Sequence, residues 1–182
     1  GPWNNPYPSF DDNASIFYSS FSERPKHLDP VSSYSENEAQ FNSQIYEPVV
    51  QYHFLKRPYE LVPLTATRVP QPEYRDAAGT VLPNDAAVDA IDSVVYRVKI
   101  QSGIQYQPHP AFARSDSGRL VYHGLSGEML EKYHALSDFP ELGTRELTAA
   151  DYVYQIKRLA HPRIHSPVAG FMGRYIVGLN EL

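Results

Sequence analysis

Cysteine is missing altogether, which excludes disulfide bridges and thiolate chemistry. It leaves the compartment open, because a cytosolic chain and an exported chain without bridges look alike on this count. No uncharged apolar run approaches the roughly 20 residues a helix needs to cross a bilayer. Positive charge is in short supply: 16 Lys and Arg stand against 21 Asp and Glu, for a net charge of -5. A chain of that sign lacks the basic footprint that phosphate neutralisation requires, so nucleic acid is not an expected partner. Glycine-rich phosphate loops are absent, since neither G-x-G-x-x-G nor G-x-x-x-x-G-K occurs. "GLSGE" at 124–128 lacks the G-x-S-x-G spacing of a nucleophile elbow and reads as a turn. There is no internal repeat of fixed period. No enzyme signature survives these absences.

What the 182 residues do contain is a globular balance, 42% hydrophobic and 20% charged, with 16 prolines and 14 tyrosines. That pairing predicts short elements joined by rigid connectors. Residues 1–13, "GPWNNPYPSFDDN", read as an extended N-terminal arm, and Gly1-Pro2 reads as a cleavage scar that leaves room for a removed export signal. "ASIFYSSF" at 14–21 reads as a strand. Ser35-Glu36-Asn37-Glu38 matches a capping box and predicts a helix of about three turns that fails before Pro48. The proline-spaced "RPYELVPLTATRVPQP" predicts irregular or edge-strand structure, and residues 76–92 a surface hairpin or loop. In "SVVYRVKIQ", Val94, Tyr96, Val98 and Ile100 alternate with Val95, Arg97 and Lys99, which predicts a strand with the first set facing a core. Thr148 and Asp151 open an amphipathic helix with Tyr152, Ile156 and Leu159 on one side, ended by Pro162.

Few residues point to chemistry. His161 and His165 stand four apart, but Pro162 interrupts the helix between them and no third ligand is near, so they read as surface histidines beyond a helix end and no metal is expected. Glu38 and Asp151 each sit at a helix start, where free N–H groups already account for an acid. Tyr34, Ser35 and Glu36 differ, because they occupy a loop between a strand and a helix, a place where ligands meet the chain in open α/β sheets. The competing reading of the same stretch is an ordinary exposed cap with a packed tyrosine.

Taken in order, "HLDP", "QIYEPVVQY", "YELVPLTA", "SVVYRVKIQSGIQY" and "ELTAADYVYQIKRL" resemble the N-terminal part of the family 5 extracellular solute-binding proteins, the peptide-, dipeptide- and nickel-binding receptors of bacterial ABC importers. The likeness runs from about Ile16 to Leu159 and covers only the opening third of such a receptor. It implies a mixed α/β fold: part of a periplasmic-binding-protein type II-like lobe with an accessory subdomain, built on a small twisted mixed sheet flanked by helices. Residues 14–182 would form this lobe fragment, with residues 114–145 as an insertion that typical members lack, carrying its own helix near Glu128 to Leu136. The implied function is binding of oligopeptides in the periplasm and their delivery to the membrane permease, with no catalysis and no cofactor. Within the family the runner-up ligand is a nickel chelate or another small solute, and outside it the competitor is a stand-alone interaction domain. By spacing from Leu28-Asp29-Pro30, the stretch that would run beside a bound peptide is Tyr34, Ser35, Glu36 and Asn37. The chain alone is expected to fold, because a domain of this size can bury roughly 70% of its surface, to bind ligand weakly at best, and to form a concentration-dependent dimer.

Overall fold

The computed structural model describes residues 20–182. The arm at 1–13 and nearly all of the strand expected at 14–21 lie outside the described residues. The remainder is mixed helix and strand: helix α1 (Glu36–Ile45), strands β1 (Val50–Tyr52) and β2 (Leu61–Pro63), strands β3 (Pro72–Arg75) and β4 (Ser93–Tyr96), a single helical turn α2 (Gly127–Leu130), helix α3 (Ala149–Ala160) and a last turn α4 (Ala169–Met172).

Among the described residues the expected mixed sheet does not form. Instead β1 pairs with β2 and β3 with β4, two separate antiparallel ribbons with Gln51 opposite Val62 and Tyr74 opposite Val94. Proline sets their limits, since Pro63 closes β2 and Pro72 opens β3 at positions where a missing N–H costs no ladder bond. The strand expected through Ile100 stops at Tyr96, and its faces are the reverse of the periodicity reading: Ser93 and Val95 are half-buried while Val94 and Tyr96 are exposed. A two-stranded ribbon without a second layer has nothing to cover its apolar alternation, so cross-strand neighbours decide which side is shielded. Glu73 gathers Arg75 at 2.6 Å and Arg97 at 3.3 Å.

The centre of the molecule is small. Val31, Ala66, Pro110, Ala113 and Leu179 are the buried apolar residues among those described, and Glu38 and Thr65 are the buried polar ones. Thr65 and Ala66 are short enough for backbones to close around them. Val49 O accepts from both Leu64 N and Ala66 N, and Gln101 Nε2 donates to the carbonyls of Leu64 and Ala66, each at 2.9 Å. Helix α3 docks here through one side chain: the Tyr152 hydroxyl accepts from Thr65 Oγ1 at 2.6 Å and donates to Glu47 O at 2.9 Å. The large core expected from chain length is not found among the described residues. Ile156, expected on the packing side of α3, is exposed with Val153 and Tyr154, and the half-buried side is Tyr152, Gln155, Arg158 and Leu159.

Residues 104–109 run antiparallel to 143–147. Leu147 N donates to Ile104 O, Tyr106 N to Arg145 O, and His109 and Gly143 exchange two bonds of 2.8 and 3.2 Å. The Arg145 guanidinium lies 4.6 Å from the Tyr106 ring centre and pairs with Asp151, which ties this ribbon to the start of α3. The excursion beyond the ribbon carries its own aromatic cluster: Tyr133 stacks on Phe139 at 4.1 Å and Tyr122 meets Phe139 edge-on at 5.0 Å. Its helix is shorter than expected, one turn capped by Ser126, because Asp138 draws in His134 N and Ala135 N and redirects the chain. Replacing residues 115–141 with a short Gly-Ser linker is expected to leave the remainder folded, since the stem is closed by its own hydrogen bonds and loop length costs little entropy. Circular dichroism and denaturant unfolding check this; loss of the α3 signal would mean that the excursion is part of the core.

Candidate functional site

The turn at Leu28-Asp29-Pro30 owes its shape to one carboxylate. Asp29 O accepts from Ser32 N at 3.0 Å and Ser33 N at 2.9 Å, while Asp29 Oδ1 accepts from Val31 N at 3.1 Å. Asp and Pro favour such a turn because the carboxylate reaches the backbone two residues on and the ring presets φ. Arg158 of α3 then grips the same carboxylate with both terminal nitrogens, Nη1 to Oδ1 at 3.0 Å and Nη2 to Oδ2. That bidentate pair holds the Asp29 carboxyl below its ordinary range.

A second carboxylate fixes the other end of the loop. Glu38 is 3% exposed, and its two oxygens take four backbone N–H groups: Lys26 at 3.0 Å and His27 at 2.8 Å on Oε1, Tyr34 at 3.0 Å and Ser35 at 3.2 Å on Oε2. The Ser35 contact belongs to the capping box of α1. The other three go beyond capping and staple two chain segments together. The N–H groups, His27 first, favour the ionised form and push the Glu38 carboxyl far down.

The four residues expected to meet a ligand are thus brought together on one turn, but they divide into two kinds. Ser35 Oγ donates to Asn37 Oδ1 at 2.5 Å, and Asn37 Nδ2 donates to Glu23 O at 2.9 Å, so these two hold the loop to its flank. Tyr34 is 78% exposed, Glu36 is exposed, and the side chain of neither makes a hydrogen bond or ion pair among the described residues. The N–H groups of Val31 to Ser35 are all occupied internally, whereas the carbonyls of Ser32, Ser33 and Tyr34 accept no hydrogen bond among the described residues. The turn therefore presents acceptors and one free carboxylate on a backbone held at both ends. This arrangement suits pairing with N–H donors and cations.

Two concavities are found elsewhere among the described residues. One is lined by Thr67, Arg68, Arg97, Val98 and Lys99, the other by Leu159, His161, His165, Ser166 and Asn180 with their neighbours, and neither is lined by Tyr34 to Asn37. His161 Nδ1 accepts from Arg163 N at 3.2 Å, and no group of three or more His, Asp or Glu able to hold a metal is found among the described residues. No described helix is long and apolar enough to cross a membrane.

The positioning residues were the part that sequence reasoning missed. Asp29 was legible as a turn residue, but nothing local marks Arg158, 129 positions away, as its partner. Glu38 was legible as a helix-start acid, and its grip on Lys26 and His27 was not. Compared with protein-family models, curated proteins and solved structures, the chain matches none of them.

Proposed function

We propose that this chain is the N-terminal portion of an exported solute-binding receptor that takes oligopeptides in the periplasm and passes them to the permease of an ABC importer. The reading rests on the ordered motif series from "HLDP" to "ELTAADYVYQIKRL". One structural observation supports it above the others: after Leu-Asp-Pro, a loop clamped by Asp29–Arg158 and by Glu38 leaves its carbonyls without donors among the described residues, beside the exposed Tyr34 and Glu36. An extended peptide supplies the matching N–H groups, as in strand addition, and Glu36 offers a charge partner to a basic group. Tyr34 supplies rigid contact area with a polar tip. In this reading the exposed side of α3 (Val153, Tyr154, Ile156) contacts the remainder of the receptor, and binding closes two lobes about a hinge.

Mass spectrometry of small molecules carried through purification of the full-length protein identifies the ligand class; peptides are expected, and a nickel chelate would shift the reading to the small-solute members. Calorimetric titration with that ligand is then expected to show about a tenfold loss of affinity for Tyr34→Ala and for Glu36→Ala, with little change in stability, because both side chains are exposed. Unchanged affinity in both variants removes this turn from the site. The 182-residue chain on its own is expected to bind at millimolar strength or weaker, since one wall of a clamp encloses too little of its ligand. Micromolar binding by that chain would favour the stand-alone interaction domain.

A further inference from the structure

The turn between β1 and β2, His53 to Glu60, carries the sequence "HFLKRPYE" and is built in an unusual way. Phe54 is 88% exposed and Leu55 is 78% exposed, adjacent residues at the tip of a projecting hairpin. Tyr52 and Tyr59 flank them, edge to face at 5.6 Å and also exposed. Exposed apolar residues usually occur singly; four together on one tip call for a reason.

Part of the backbone at the tip is bonded from within. The His53 ring accepts from Leu55 N and Lys56 N through Nδ1, each at 3.2 Å, and the Arg57 guanidinium donates to Lys56 O at 2.8 Å and Phe54 O at 3.4 Å. His53 N closes the neck on Glu60 O at 2.7 Å. An exposed loop in water has no need of this, because water satisfies its N–H and C=O groups. A loop entering a low-polarity medium gains from each such bond, since every unpaired backbone group opposes entry. The side chains agree with that environment. Phe54 and Leu55 are exposed, Lys56 and Arg57 follow them directly in the chain, and exposed tyrosines at 52 and 59 flank the four, where rings with a polar tip favour a membrane boundary. Local charge runs against the chain's net of -5: Lys56 pairs with Glu60 at 2.9 Å, and the Arg57 guanidinium lies 4.4 Å from the Tyr59 ring centre with no acid beside it among the described residues.

We propose that the β1–β2 tip is a membrane-surface anchor, in which Phe54 and Leu55 enter the acyl boundary of an anionic bilayer while Lys56 and Arg57 meet lipid phosphates. A lipid surface fits better than a protein groove, because a narrow convex tip with two adjacent apolar side chains buries little area against a protein, whereas a bilayer needs no complementary shape. The inference does not depend on which solute the protein takes.

The test is vesicle co-sedimentation of the 182-residue chain, with phosphatidylethanolamine vesicles containing phosphatidylglycerol compared against pure phosphatidylcholine. The wild-type chain is expected to sediment with the anionic vesicles, less so as salt is raised, and weakly with phosphatidylcholine. Phe54→Ser with Leu55→Ser is expected to lower partitioning by about tenfold or more, with an unchanged circular dichroism spectrum. Phe54→Leu with Leu55→Ile, which keeps the apolar tip, is expected to retain binding. Lys56→Gln is expected to reduce the salt dependence. Absence of wild-type binding to anionic vesicles overturns the proposal, and so does equal binding by the double serine variant; in the first case a protein partner becomes the occupant to seek.

Discussion

Gly143→Ala is expected to cost about 2–3 kcal/mol, near the upper end for overpacking, because a Cβ there has nowhere to go. It would stand 2.1 Å from Phe112 O and 2.8 Å from Ala113 N, and both are backbone atoms with no rotamer to change. Relief requires the chain at Phe112 or at Gly143 to move. The bonds that oppose that motion are the paired ones between His109 and Gly143 and the adjoining Tyr106–Arg145 contact. Displacing them unsettles Arg145, and with it the pair to Asp151 that starts α3. Denaturant unfolding measures the cost, and amide exchange at His109 and Gly143 localises it. Gly170→Ala is the control: it has open space around its Cβ and lies in α4, so it is expected to be neutral or stabilising by about 0.5–1 kcal/mol. Equal effects of the two changes would show that the ribbon is not closely packed at Phe112.

Glu38→Gln is expected to destabilise the chain at neutral pH and to flatten its response to acid. The amide keeps the shape but replaces one acceptor by a donor that faces backbone N–H groups, and it removes the charge those groups stabilise. The sign of the pH effect follows from proton counts. Glu38, Asp29 and Asp151 all have folded-state values below their ordinary ones, Asp151 held down to about 2 chiefly by Arg145. Below the ordinary carboxylate values of 4.5 for Glu and 3.8 for Asp, the unfolded chain binds protons that the folded chain refuses. The stabilisation is therefore fully present above about pH 5 and is lost as pH falls toward 2 and below. In the Gln variant the difference from wild type should be largest at pH 7 and shrink on acidification. Arg158→Ala, which cuts a partly exposed pair, is expected to cost only about 1 kcal/mol. Equal stability of wild type and Glu38→Gln at neutral pH would mean that the four N–H groups are met equally well by water.

Helices α1 and α3 and the points where proline bounds a strand were legible because their signals act within a few residues, whereas the pairing into two separate ribbons was not. Ser35 with Glu38 and Thr148 with Asp151 mark helix starts by satisfying N–H groups two or three positions on, and Pro48 ends α1 by restricting its predecessor. The clustering of Tyr34 to Asn37 on one turn follows from the same cap. Their division into two exposed side chains and two structural ones was not legible, because Ser35 and Asn37 are occupied by contacts that depend on where Glu23 lies. Strand faces at Val94 to Tyr96 were misread for a related reason: alternation states that two sides differ, and only the layer packed against them states which is inside.

The amino-acid sequence by itself determined the absence of thiol chemistry, the acidic balance, the helix starts and the points at which proline forbids a ladder bond, all properties of one residue and its immediate neighbours. Tertiary structure alone decided that Arg158 holds Asp29, that Tyr152 joins Thr65 to Glu47, that Glu38 staples Lys26 to Ser35, and that Phe54 and Leu55 stand exposed at the β1–β2 turn. Those choices rest on charges, hydroxyls and backbone donors meeting across long stretches of chain, and many residues of each type compete for every such meeting. Chain closure, which carries an entropy cost and excludes all but a few geometries, selects among them.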